Sequence, residues 1–251
     1  MTHSSKTTPR TVEEATPLIL HRSVPLVCPY IEGRIERRIV VELNETLVRR
    51  GVFDELTRVG FRRSHGMMYR PACPACNACI PVRIPVKDFT PRRSFQRVWR
   101  LNKDLTARVL TGASATVEQY ELFRRYQEGR HGEGEMAQMT MADYVALVQD
   151  SCADTRLVEF RDANETLVAC GLFDCTSDGL SAVYSFFAPD MAERSLGSQI
   201  VLWLIENARA TKLPYVYLGY WIEDCRKMTY KKRFTPMERL STNGWVALQA
   251  D

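Results

Sequence analysis

A chain of 251 residues, 45% of them hydrophobic, can bury one large core or two modest ones, because the buried fraction of surface grows with chain length. The longest apolar run, Ile200 to Ile205, is far short of the roughly 20 residues of a membrane span, and the polar N-terminus lacks an apolar signal core; the expectation is a cytoplasmic protein with no membrane contact. Net charge is +4, yet residues 1–110 carry twenty Lys and Arg against ten Asp and Glu, and the remainder fourteen against twenty, which fits either a basic N-terminal surface facing an anion, most commonly nucleic acid, or solvated charge spread around a domain.

Residues 1–20, polar and with few apolar anchors, read as a loose arm. Residues 21–105 form a Cys-containing first lobe, with strand-like Ile39-Val40-Val41 and Val82-Arg83-Ile84 and a short helix near Thr46 to Val59. After Pro91, Val98, Leu101, Leu105 and Val109 recur at steps of three and four, with Arg93, Arg97, Arg100 and Arg108 along another side. That spacing predicts an amphipathic helix with a basic face. Residues 106–251 form a second lobe. Helices are expected over Val117 to Gln127 and Met141 to Gln149, separated by a mobile loop at Gly129-Arg130-His131-Gly132-Glu133-Gly134. Strand-like runs follow at Arg156 to Phe160, Thr166 to Asp174 and Leu180 to Phe187, then a helix from Leu196 to Thr211 and a strand at Tyr215 to Leu218.

Three antiparallel strands, a helix and a strand in an α+β chain resemble the core of the GNAT acyltransferases. There the helix N-terminus receives a phosphate, through its unpaired N–H groups and partial positive charge. The matching junction is Glu193-Arg194-Ser195-Leu196-Gly197-Ser198. Arg194 could add a charged contact and Gly197 a close backbone approach; in the plainer reading Ser195 caps the helix and Gly197 permits packing.

The most telling tract is Tyr215-Val216-Tyr217-Leu218-Gly219-Tyr220-Trp221-Ile222, continuing through Glu223 and Asp224 to Arg233-Phe234. With Val27-Cys28-Pro29-Tyr30 and Gly60-Phe61-Arg62-Arg63-Ser64 through Tyr69-Arg70-Pro71-Ala72-Cys73, it resembles the bacterial aspartate/glutamate leucyltransferases, relatives of the eukaryotic arginyltransferases, over residues 20 to 240. The resemblance implies transfer of leucine from leucyl-tRNA to the α-amine of proteins beginning with Asp or Glu, marking them for the N-degron pathway. Within the tract Tyr220 and Lys227 are the catalytic candidates, with Glu223 and Asp224 as helpers in moving protons or, in the plainer reading, ordinary turn carboxylates after a strand.

Such a reaction needs three provisions. Unpaired bases and phosphates of the tRNA 3′ end call for aromatic faces beside cations, and Tyr217, Trp221, Tyr230, Lys231, Lys232 and Arg233 supply both, with Arg194 and Gly197 as further donor contacts. Alternation along Tyr215 to Leu218 should bury about half of these rings. An acidic side chain calls for Arg or Lys with bidentate geometry; Arg34, Arg63 and Arg70, with Tyr30 and Lys227, are the candidates. Activation is a modest demand, because the donor ester is already activated and an α-amine with a reference pKa near 7.7 is partly neutral. No cofactor is needed for transfer.

Cys73-Pro74-Ala75-Cys76-Asn77-Ala78-Cys79, with Cys28 in the same lobe, has spacing suited to Zn²⁺ or an iron–sulfur cluster; the alternative is reduced thiols in a shaped loop. Two rival functions fit less of the chain. One is an acetyl-CoA-dependent N-acetyltransferase of the same fold, which predicts CoA binding. The other is a metal-stapled nucleic-acid-binding protein, which predicts tRNA binding without turnover. An arginyl-tRNA donor is a variant within the family.

Overall fold

The computed structural model describes residues 17–49, 51–112, 114–131, 135–223 and 225–248. Nearly all of the 1–20 arm, Gly132-Glu133-Gly134 and Asp224 therefore lie outside the described residues. In chain order the elements are β1 (His21–Arg22), β2 (Leu26–Val27), β3 (Ile35–Glu36), β4 (Arg38–Glu42), α1 (Glu45–Arg49), α2 (Val52–Arg58), β5 (Arg62–Ser64), β6 (Met67–Pro71) and β7 (Ile80–Pro85). Then come α3 (Arg93–Leu101), β8 (Thr106–Thr111), α4 (Val117–His131), α5 (Met141–Gln149), β9 (Thr155–Arg161), β10 (Leu167–Thr176) and β11 (Gly179–Phe187). The chain closes with α6 (Leu196–Ala210), β12 (Tyr215–Trp221), β13 (Glu238–Ser241) and β14 (Gly244–Ala247).

A small sheet in the order β1-β4-β6-β5 covers a core of Val41, Leu43, Phe53, Leu56 and Met68. The principal sheet has eight strands in the order β14-β13-β7-β12-β11-β10-β9-β8, antiparallel throughout except for the parallel pair β11 and β12. Its central strands are buried along most of their length and read as near-continuous apolar runs, as strands covered on both faces do. Helices α4 and α6 pack on them. The fold is thus α+β, built on one large mixed sheet.

Three expectations change. The helix of residues 46–59 is two helices, broken at Gly51 with φ 75°. The amphipathic helix after Pro91 stops at Leu101, where buried Asn102 donates to the carbonyls of Val98 and Arg194. Leu105 and Val109 are therefore not helical: residues 106–111 pair along the free edge of β9, and the β-branched Thr106, Val109 and Thr111 suit a strand better than a helix face. Finally, Gly129-Arg130-His131 continue α4 instead of starting a loop.

Strand β7, assigned from sequence to the first lobe, lies inside the principal sheet between β12 and β13. Its buried Arg83 bonds Glu238 at 2.6 Å and packs over the Tyr215 and Trp245 rings, 3.4 and 4.4 Å from their centroids.

Candidate functional site

Strands β11 and β12 pair over only three residues each, Gly179 to Ser181 with Tyr215 to Tyr217. Beyond Ser181 they part, β11 continuing along β10 and β12 along β7. A fork of this kind leaves inward carbonyls that a regular ladder would have paired, and two cations claim them. Arg62 of β5 donates Nη2 to the carbonyl of Ala182 at 2.5 Å and, more distantly, to that of Val183 at 3.4 Å. Lys231 donates Nζ to the carbonyls of Leu218 and Tyr220 at 2.8 and 2.5 Å. Lys231 is buried, and that burial, reinforced by the nearby Arg62 charge, pulls its pKa down to about 7. Gly219, at φ +71°, makes the arrangement possible: a Cβ there would lie 1.2 Å from Arg62 Nη1.

The aromatic tract divides into buried and exposed members. Tyr217, Tyr220 and Trp221 are each 4% exposed. The Tyr217 hydroxyl donates to Asp178 at 3.0 Å. The Tyr220 hydroxyl lies 2.9 and 3.1 Å from the carbonyls of Gly60 and Tyr69, and burial raises its pKa, so it stays protonated. Trp221 Nε1 is buried with no hydrogen-bond partner among the described residues, and Lys232 Nζ lies 5.1 Å above its ring. These three rings are walls of the site, not an open stacking surface. Tyr230 is 43% exposed, and Arg233 lies over Phe95, 5.3 Å from the ring centroid. Lys227 and Glu223 are exposed, Glu223 pairing with Lys232 at 3.4 Å.

The first-lobe candidates are placed unequally. Arg63 is buried and bound to Asp174 of β10, with Nε 2.8 Å from Oδ2, so its charge is already matched. Arg70 and Arg34 are exposed and donate to the carbonyls of Val59 and Ala75. Tyr30 reaches the surface with its pKa pushed up to about 12, mainly by burial of the hydroxyl and then by Tyr69. Sequence reading passed over Arg62. The signal lay in the pair Arg62-Arg63 on a strand, because alternation sends neighbours to opposite faces and only one of them can meet Asp174. Its positive charge acts on Tyr30, Tyr220, Tyr230 and Lys231 alike, so these four predicted residues gather around an unpredicted one.

Arg194 and Gly197 belong to another contact. Arg194 bonds the Asn102 side chain, the Leu101 carbonyl and Asp104, tying α6 to the end of α3. A Cβ on Gly197 would come within 3.0 Å of the Phe187 ring. The packing reading of this glycine is the one its surroundings support.

Cys28, Cys73, Cys76 and Cys79 line one cavity of about 490 Å³ with Arg34, Glu36, Arg70 and Arg239. All are free thiols. Burial first, then the other three thiols, pushes the pKa of Cys79 up to about 12, and the Cys73 sulfur bonds the backbone of Arg37. Among the described residues no three Cys, His, Asp or Glu side chains are arranged to hold a metal ion. The four cysteines share a cavity, and among the described residues their arrangement does not support a zinc or iron–sulfur centre.

No helix among the described residues is long and apolar enough to cross a membrane. Two family models match the chain, Arginine-tRNA-protein transferase, N terminus, over residues 27–97 and Arginine-tRNA-protein transferase, C terminus, over residues 118–241. The Aspartate/glutamate leucyltransferase of Paramagnetospirillum magneticum is 53% identical over 91% of this chain and 93% of its own length. Those of Parvibaculum lavamentivorans and Gluconacetobacter diazotrophicus are 49% and 46% identical, covering 90% and 94% of this chain and 92% and 90% of theirs. With both halves matched in order, the chain belongs to the arginine-tRNA-protein transferase family.

Proposed function

We propose that this chain transfers leucine from leucyl-tRNA to the α-amine of proteins whose first residue is Asp or Glu, creating a degradation signal in the cytoplasm. The observation that carries the reading is the end-to-end match to relatives bearing the name Aspartate/glutamate leucyltransferase, 53% identical across 93% of one of them. The order β9, β10, β11, α6, β12, with a parallel pair that opens into a fork, supports a GNAT-like acyltransferase core in the second lobe.

The chemistry asks little of a nucleophilic side chain. The neutral α-amine attacks the aminoacyl ester carbonyl, a tetrahedral intermediate forms, the amine loses its proton and the 3′-oxygen of the tRNA leaves as a hydroxyl. Rate enhancement rests on holding amine and ester together and on donors facing the developing oxyanion. Exposed Lys227, in the same short segment as Tyr230 and the Lys232–Glu223 pair, suits the 3′-terminal phosphates; Asp224 and Glu223 are carboxylates for moving the proton. The four-cysteine cavity needs no part in transfer.

The test supplies purified protein with leucyl-tRNA or arginyl-tRNA and peptides beginning with Asp, Glu, Lys or Ala. Leucine transfer to the Asp and Glu peptides is expected. Arginine transfer alone would keep the family and overturn the donor; transfer from acetyl-CoA would favour the acetyltransferase reading. Lys227→Ala is expected to lower transfer about tenfold, the worth of one charge-assisted contact, with an unchanged melting temperature. Parallel loss of activity and stability would remove Lys227 from the site.

A further inference from the structure

We infer that α3 and the segment Thr229–Arg233 form one continuous surface for the 3′ arm of the donor RNA, with the arginine face of α3 on the phosphates of the duplex stem and Tyr230 beneath the unpaired 3′ nucleotides. The inference rests on the transferase reading and gives it a donor surface. Arg93, Arg97 and Arg100 stand at i, i+4 and i+7, so they share one face of α3 over roughly 10 Å of its length, and all three are exposed. Phe95 and Val98, on the opposite face, are buried. The charge on the arginine face is unmatched. Helix α3 contains no Asp or Glu, and none of the three arginines has an ion pair among the described residues. Arg100 makes a single 3.4 Å bond, to the carbonyl of Gln96 one turn back. On other helices the exposed arginines Arg49, Arg124 and Arg209 each meet a Glu one turn away. Like charges three and four residues apart repel, and Arg93 in the first turn opposes the helix dipole. Both effects disfavour the isolated helix, and a polyanion laid along the face reverses them.

Side-chain contacts also tie α3 to the fork between β11 and β12. Arg92 Nη2 donates to Thr235 Oγ1 at 2.5 Å, Phe95 stacks on Phe234 with ring centroids 4.6 Å apart, and Arg233 lies over the same Phe95 ring. Just before these partners in the chain, Lys231 bonds the fork carbonyls of Leu218 and Tyr220, and its neighbour Tyr230 is exposed. Exposed Lys227 belongs to the same short stretch. The surface therefore passes from an open ring among cations, next to the fork, to a straight row of arginines on α3. Unpaired nucleotides are held by rings that stack on bases and by cations on the backbone. A duplex is held by cations on its phosphates, without regard to sequence. That division matches a nucleic acid with a stem and an unpaired end better than an acidic protein surface, which has neither regular phosphates nor bases to stack.

The test measures transfer by the full chain from three donors: leucyl-tRNA, a leucylated minihelix that keeps only the stem arm, and a leucylated CCA trinucleotide. Wild type should show a KM for the two duplex donors well below that for the trinucleotide. Replacing Arg93, Arg97 and Arg100 together with Gln, which keeps helix propensity, should raise KM for both duplex donors about tenfold and shrink their advantage over the trinucleotide by the same factor. Replacing the same three with Lys, which meets phosphate as a point charge, should keep most of that advantage, whereas Arg49→Gln with Arg124→Gln should leave it whole. An equal fall in kcat/KM for all three donors would make the α3 arginines structural and overturn the inference. So would an unchanged advantage, or a KM that rises for the acceptor peptide and not for the donors, which would give the face to acidic proteins. Wild-type transfer from arginyl-tRNA only overturns the leucyl reading, and the same comparison is then read with arginylated donors. Transfer from neither overturns the transferase reading alone: weaker retention of the uncharged minihelix by the Gln variant would still support the surface, and equal retention would overturn it as well.

Discussion

Lys231 shows at residue scale how burial reassigns a side chain. Its spacing among Lys232 and Arg233 marked it as part of a cationic patch for tRNA. In the fold it is enclosed beneath β12 and bonded to two carbonyls. With its folded pKa near 7 and an unfolded value near 10.4, the unfolded chain binds the extra proton between those values. Stability contributed at this site therefore rises with pH across that window, by up to about 1.4 kcal/mol per pH unit. Other thiols and phenols titrate there too, so the measurement is a difference: the gap in unfolding free energy between wild type and Lys231→Met should move in favour of wild type from pH 7 to pH 9. A gap independent of pH would mean that Lys231 is charged in the folded protein. Nothing in the local sequence separates Lys231 from Lys232; the difference is made by carbonyls released some ten residues earlier.

At the scale of elements, periodicity located most of the second lobe. The expected strands over 156–160, 166–174 and 180–187 and the helix over 196–211 correspond to β9, β10, β11 and α6 within a residue or two, because long buried elements carry strong apolar patterns. The segment after Pro91 defeated the same reasoning. Its helical spacing ran through a turn that buried Asn102 enforces by side-chain bonds to distant backbone. Packing of β5 against the principal sheet was equally invisible, since the buried Arg63–Asp174 contact spans more than a hundred residues. Asp174→Ala should cost about 3–5 kcal/mol by stranding the arginine, whereas Arg63→Met with Asp174→Leu should recover much of that loss, read from urea unfolding. A double variant no more stable than Asp174→Ala would show that the pair does more than neutralise itself.

For the whole molecule, the charge asymmetry of the sequence becomes a placed surface. Arg93, Arg97 and Arg100 lie exposed on α3 while Phe95 and Val98 of the same helix are buried. If this face meets tRNA phosphates, replacing the three arginines with Gln should reduce the slope of log binding constant against log salt by roughly 2, from the single-strand value of about 0.7 per phosphate. An unchanged slope would put the tRNA elsewhere. Sequence by itself determined family membership, the α+β class and the order of the buried elements, because local patterning and motif order are properties of the chain alone. The tertiary structure decided which members of the Tyr217 to Arg233 tract are buried and which are surface, that the four cysteines share a cavity, and that Arg62 and Lys231 are bound to the carbonyls of the fork. Those outcomes depend on which distant carbonyl or carboxylate reaches each side chain first, and that is fixed only when β5, β7, β11 and β12 are brought together.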